Sequence, residues 1–172
     1  MIGTQIKFAL KAARLVRQYR DGKIPIIWGG VHPTVLPLQT LENEFVDVVV
    51  VGECEITMLE LVKAMAGRTS LSAVNGIAFK NGGKPTQTSP RELLDVETLL
   101  PVPWDLVEVE DYIHPDMYIK NSPRTLDIGQ TSRGCPFRCG FCCSATIRQR
   151  KWRAMSVEKA LDMIVSAVRR FK

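Results

Sequence analysis

Long apolar runs are missing from this 172-residue chain. None approaches the ~20 residues that a membrane-spanning helix needs. The N-terminus, MIGTQIKFALKAARLVRQYR, lacks a continuous apolar stretch and a small-residue cleavage site, so it does not read as a secretory signal. Internal repeats and low-complexity tracts are also absent. Aromatic residues are few, at 7%, and are not interleaved with the basic residues as on a single-strand-binding platform. Cysteines number five, an odd count that a disulfide framework would have to explain. With the cytoplasm as the expected compartment, where thiols stay reduced, clustered cysteines point to metal binding or catalysis. Apolar residues at 45% and charged residues at 24% give the balance of a folded globular chain, long enough for one domain or one domain and part of another.

The net charge of +5 lies late in the chain. From Arg124 onward come Arg133, Arg138, Arg148, Arg150, Lys151, Arg153, Lys159, Arg169, Arg170 and Lys172, against Asp127, Glu158 and Asp162. A basic stripe can serve a phosphorylated partner, but it is more often a solvated face or a surface that meets an acidic one. Neither a nucleic acid nor a membrane span is expected here.

The periodicity alternates between helix and strand. Residues 4–20 read as a helix, with Ile6, Leu10, Ala13 and Val16 on one face and Lys7, Lys11, Arg14 and Gln18 on the other. IPIIW, closed by Gly29-Gly30, reads as a buried strand feeding a tight loop. A short irregular helix is expected over 34–43, interrupted by Pro37. FVDVVVVG is a second strand, apolar on both faces, as inside a parallel sheet. A third helical pattern runs through Ile56, Leu59, Val62 and Met65 to Gly67. This order belongs to an α/β fold. Because it opens on a helix and offers two strands for three helices, it reads as the second half of a domain.

Residues 68–124 read as a linker, with a hairpin signal at Asn81-Gly82-Gly83 and several prolines beyond it. TLDIGQT, residues 125–131, reads as a strand leading into a cysteine loop, and SVEKALDMIVSAVRRFK as a closing helix with Ser156 as its N-cap. Strand, loop and helix form one βα unit of a new domain.

Four cysteines fall within the fifteen residues TSRGCPFRCGFCCSA, Thr131–Ala145. Cys135, Cys139 and Cys142 are spaced C-x3-C-x2-C, and thiolates select zinc, copper(I) or iron–sulfur clusters. A structural zinc site uses four closed ligands. Cys143 adjoins Cys142 too closely for both to serve one tetrahedral ion, and no histidine lies nearby. Three ligands without a natural fourth suit a four-iron cluster with one iron open to a small molecule. A zinc-stabilised interaction module is the alternative on the residues alone. Cys54 and Cys143 read as ordinary small residues.

The loop resembles the radical S-adenosylmethionine superfamily. Phe141 supplies the aromatic before the third cysteine, Arg133-Gly134 and Pro136 flank the first, and the position after a strand matches the start of a β/α barrel. The resemblance implies a 4Fe-4S cluster on Cys135, Cys139 and Cys142, S-adenosylmethionine at the open iron, and Phe141 near the adenine. It also implies reductive cleavage to a 5′-deoxyadenosyl radical, with an electron donor such as flavodoxin or ferredoxin. No catalytic residue of the chain itself is assigned.

On its own, Gly29-Gly30 at a strand end is a common feature that lets backbone approach a ligand. Residues 1–67, however, are similar to the C-terminal half of the cobalamin-binding domain that precedes radical S-adenosylmethionine cores. Gly29-Gly30 matches that domain's glycine pair. Met1 falls where its S-x-L motif would end, and the D-x-H-x-x-G loop with its cobalt-binding histidine does not appear. The similarity implies cobalamin contacts from Gly29, Gly30, Val31 and His32, with His32 lining the pocket for the cobalamin tail or holding the loop by a hydrogen bond. The family's GEGE stands here as Gly52-Glu53-Cys54-Glu55, and the two acids equally suit a helix N-terminus. His114 carries no signal.

The expected whole is a partial cobalamin-binding Rossmann-like domain over 1–67, a linker with a β-hairpin over 68–124, and the start of a radical S-adenosylmethionine barrel over 125–172. It is a fragment of a cobalamin-dependent enzyme doing methyl transfer, cyclisation or rearrangement on a small-molecule, lipid or tetrapyrrole-like substrate. The alternative is a truncated cofactor-binding piece, or half of a split enzyme completed by a second chain, without activity of its own.

Overall fold

The structure is a computed structural model that describes residues 3–117 and 120–171. Met1, the expected end of the S-x-L motif, lies outside the described residues. The chain forms two compact units. One comprises residues up to Leu93 together with Pro136–Arg150, and the other comprises Leu94–Cys135 and the residues from Lys151 onward.

The first unit opens with helix α1, Thr4–Gln18. Strand β1, Ile27–Trp28, runs parallel to β2, Val48–Val50, in the register Ile27↔Val48. Between them lie two short helices, α2, Val31–Val35, and α3, Pro37–Glu42. The expected interruption at Pro37 is therefore a break into two helices, with proline at the first turn of the second, where its missing N–H costs nothing. Helix α4, Glu55–Met65, follows β2. The hairpin β3, Ile77–Asn81, and β4, Lys84–Gln87, then extends the sheet antiparallel, in the order β1-β2-β3-β4. Gly82 and Gly83 both take positive φ, 57° and 83°, as a tight two-residue turn requires. Pro85 sits on β4, the edge strand, where no second neighbour asks for its N–H.

All three β2 residues are buried. Val48 and Val50 face a cluster with Leu61, Ala64, Val74, Ile77 and Phe79, against α4. Val49 faces the other way, with Trp28, Leu41, Val46 and Ala78, and Ile6, Ala9 and Leu10 of α1 pack against that cluster. The expectation that β2 is apolar on both faces thus has its reason in helices on both sides. The end of α1 is tied to the sheet by Arg17, which donates to Asp47 at 2.7 Å and to the Phe45 carbonyl at 3.3 Å, while Asp47 accepts from the Ile26 N–H at 2.7 Å. The buried Thr57 hydroxyl accepts from Arg91 Nε at 2.8 Å, and Arg91 also pairs with Glu60.

The second unit is mostly irregular. Strand β5, Ser132–Arg133, pairs antiparallel with β6, Arg153–Ala154. Helix α6, Val157–Phe171, fulfils the expected closing helix. Ser156 Oγ accepts from the Lys159 N–H at 3.2 Å, the expected cap. Glu97 accepts from the Ser156 N–H and hydroxyl, both at 2.8 Å, and Arg170 pairs with Asp105. The Trp104 and Phe171 rings meet edge-on with centroids 5.4 Å apart. The strand expected over 125–131 is not one. Thr125 makes only an isolated bridge to His114, and the Gly129 N–H bonds the Asp127 side chain at 2.8 Å, a local turn that competes with extended pairing. Gly129 itself has φ 97°. Among the described residues no helix is long and apolar enough to cross a membrane.

Leu61→Ala, at a fully buried position, should cost about 2–5 kcal/mol in urea unfolding, and Leu100→Ala, on a side chain 89% exposed, about 0.5 kcal/mol or less. The Ser156 N–H and hydroxyl, with Lys159, hold the Glu97 carboxyl below its ordinary value, and Arg170 does the same for Asp105. Their contribution is therefore complete above the ordinary carboxylate range and is lost as pH falls through the lowered folded values. The protection of the α6 amides, taken relative to the unfolded chain at the same pH, should therefore fall on acidification, and Glu97→Gln should flatten that dependence.

Candidate functional site

The parallel pairing of β1 and β2 puts the carboxyl ends of both strands at one edge of the sheet. From β1 the chain passes through Gly29-Gly30 into α2, and from β2 through Gly52 and Glu53 towards α4. Gly30 takes φ 97° with ψ −162°, a conformation open to glycine and costly to other residues. Gly29 has a different position: a Cβ there would make ordinary contact with Val50 at 3.8 Å. The backbone requirement of the glycine pair thus rests on Gly30. Gly52, with φ 82°, turns the chain after β2, and its N–H donates to Thr34 Oγ1 at 3.0 Å.

Val31 and His32 form the first turn of α2. Val31 is exposed and His32 half-buried, and the Gly30 and His32 carbonyls accept from Thr34 and Leu36 at 3.1 and 3.0 Å. The four residues expected to meet cobalamin are therefore contiguous at the sheet's carboxyl edge. Thr34, in the same GGVHPT run, is the side chain that joins this loop to the next.

The cysteine loop crosses the division between the units after Cys135. On the far side, within the first unit, Cys139 and Cys142 share a turn in which the Cys142 N–H donates to the Cys139 carbonyl at 3.1 Å. Cys143 then stands at the N-cap position of the four-residue helix α5, Ser144–Ile147, its carbonyl accepting from Thr146 and Ile147, and α5 packs against α2. Cys139, Cys142 and Cys143 are exposed, and Phe141 is 94% exposed, an aromatic ring with almost no packing of its own. Arg148, at the end of α5, forms an ion pair with Glu53, whose side chain is only 5% exposed. The sequence marks neither residue as a partner of the other, because they stand 95 positions apart.

In the second unit, Cys135 is half-buried and follows Gly134. Gly134 has φ 95°, and a Cβ added there would overlap the Lys151 carbonyl oxygen. The glycine before the first cysteine is thus fixed by the β5–β6 pairing. All five cysteines are free thiols, and the donor set of three suits a thiolate-bound iron–sulfur cluster. Among the described residues no three histidine, cysteine, aspartate or glutamate side chains are gathered as metal ligands.

No family model matches the chain. Individual relatives do. It is 34% identical to the uncharacterized methyltransferase PH0819 of Pyrococcus horikoshii over 156 residues, 90% of this chain and 32% of that protein. It is 35% identical to the anaerobic magnesium-protoporphyrin IX monomethyl ester cyclase of Rubrivivax gelatinosus over 147 residues, 82% of this chain and 25% of that one. Among solved structures, the cobalamin-dependent S-adenosylmethionine radical enzyme OxsB, with aqua-cobalamin and S-adenosylmethionine bound, matches at TM-score 0.67 and 26% identity, covering 98% of this chain and 23% of that one. The chain belongs to the cobalamin-dependent radical S-adenosylmethionine family. It spans about a third or less of the length of the relatives it matches. The mixed parallel and antiparallel α/β fold is that of the family's solved structures.

Gly134→Ala should break the β5–β6 pairing, costing about 1–3 kcal/mol from the backbone conformation alone. The measurement is amide exchange at Met155, whose N–H donates to the Thr131 carbonyl at 2.9 Å. Wild-type protection there in the alanine variant would refute the assignment.

Proposed function

We propose that this chain carries the cofactor-binding parts of a cobalamin-dependent radical S-adenosylmethionine enzyme. Residues 1–67 belong to the carboxyl half of a doubly wound cobalamin domain, 68–124 to the connection, and 125–172 to the start of the barrel. The observation that carries the reading is the C-x3-C-x2-C loop of free thiols, in a chain that aligns over most of its length with family members. Cys135, Cys139 and Cys142 hold the 4Fe-4S cluster, and Phe141 offers its exposed ring to the adenine of S-adenosylmethionine. Gly29, Gly30, Val31 and His32 line the cobalamin side. When bound, the cluster supplies the electron that cleaves S-adenosylmethionine reductively, with a flavodoxin or ferredoxin as donor. The reaction served is methyl transfer, or the cyclisation or rearrangement of a small-molecule, lipid or tetrapyrrole-like substrate, in the cytoplasm.

A second reading is a cofactor-binding piece without turnover of its own, or half of a split enzyme completed by a second chain. Under either reading helix α6 has a face to cover. Val157, Leu161, Ile164, Val165 and Val168 recur along one face of the helix and are all exposed. An apolar stripe of that kind calls for a covering element.

Anaerobic reconstitution with iron and sulfide tests the proposal. The expected product has a broad absorbance near ~400 nm that S-adenosylmethionine perturbs, and Cys139→Ala should abolish it. One zinc retained per chain without that absorbance would make the loop a structural zinc site instead. Cobalamin retention on a column tests the first unit separately.

A further inference from the structure

We propose that Glu53 and Arg148 are positioning residues, an ion pair that pins the Cys139–Cys142 turn to the carboxyl edge of the β1–β2 pair. The pairing belongs to the first unit and is a feature of the apo chain, while its service to a cluster rests on the function proposed above.

Helix α5 has only four residues, too few to hold a helix by its own hydrogen bonds. Its order must come from what it touches, namely α2 at its side and Glu53 at its end. Arg148 is the residue at which α5 stops, and its N–H donates to the Ser144 carbonyl at 2.8 Å. At the other end the Cys143 carbonyl, directly after Cys142, accepts from the Thr146 and Ile147 N–H groups at 3.0 and 3.1 Å. A fixed Arg148 therefore fixes the turn that presents two of the three thiols.

Glu53 is nearly enclosed, and an enclosed carboxylate needs a partner. The alternative role, an acid favouring the α4 N-terminus, is filled by Glu55 in the first turn of that helix. Glu53 precedes the N-cap residue Cys54 and turns towards Arg148 instead. Its neighbour Gly52 is held by Thr34 of the glycine-loop helix. A continuous path thus runs from GGVHPT through Thr34, Gly52, Glu53 and Arg148 to the cysteine turn. It gives the GECE run a task that its cysteine in place of glycine does not disturb, because the acid that matters is the first of its two.

The experiment compares the wild-type chain, Glu53→Gln, Arg148→Gln and Arg148→Lys, reduced and free of cofactor, by amide hydrogen exchange. In both glutamine variants the amides of Cys142, Thr146, Ile147 and Arg148 should exchange about tenfold faster or more, as expected for a broken, largely enclosed ion pair. The α4 amides should be unchanged, and Arg148→Lys should keep part of the protection. Reconstituted under the same conditions, the glutamine variants should bind less than about half the wild-type iron while keeping the wild-type far-ultraviolet spectrum. Wild-type exchange at those four amides in Glu53→Gln would overturn the proposal. Should that variant fail to fold, Arg148→Gln decides in its place. If the wild type itself takes up no iron, the proposed function fails, and the exchange comparison still decides the positioning role.

Discussion

The fold of the first unit hangs on three valines. Val48–Val50 pairs parallel with β1 on one side and antiparallel with β3 on the other, and is buried on both faces. Because side chains alternate along a strand, Val48 and Val50 serve the α4 cluster while Val49 serves the α1 and α3 cluster. A slip of one residue would exchange the two sets and leave neither core filled. The register therefore determines where both strands end. The parallel partner places Gly29-Gly30 beside the end of β2, at the edge where open α/β sheets hold their ligands. The position of the candidate site is a consequence of that pairing before any polar residue is considered.

Much of this was legible in the sequence, because its causes are local. Period and composition identify α1, α4 and α6. Gly82-Gly83 locates the hairpin turn, and Ser156 the start of α6. Pro37 marks the break between α2 and α3. The strand expected over 125–131 failed for a reason that is also local. The Asp127 side chain accepts from the amide two residues on and Gly129 takes a positive φ, so TLDIGQT forms no ladder beyond the Thr125 bridge. Alternation reports which faces are apolar. It does not report whether the backbone has a neighbouring strand to bond.

The tertiary use of charge was not legible. Arg17 with Asp47, Arg91 with Glu60 and Arg148 with Glu53 lie 30, 31 and 95 positions apart, and nothing in the composition near either member names the other. The site itself divides the same way. The spacing of Cys135, Cys139 and Cys142 is a local pattern and can be recognised, as can the glycine pair. The joints that hold these loops, Thr34 to Gly52 and Glu53 to Arg148, arise only once β1 and β2 lie side by side.

The basic stripe that begins at Arg124 takes on a different meaning once its partners are known. Arg124 pairs with Glu110, Arg148 with Glu53, and Arg170 with Asp105, while Arg153 donates to the Leu94 carbonyl and Lys159 to the Glu97 and Leu99 carbonyls. Several of these acceptors lie in segments with little regular structure, whose carbonyls no helix or sheet satisfies. A long cationic side chain reaches such a carbonyl without requiring the backbone to be regular, and the bond it makes is strengthened by its charge. In a unit built largely from irregular chain, cations thus replace part of the missing ladder. An excess of Lys and Arg in such a segment is a property of how the segment folds, and the stripe loses its meaning as a phosphate-binding face at the positions so engaged.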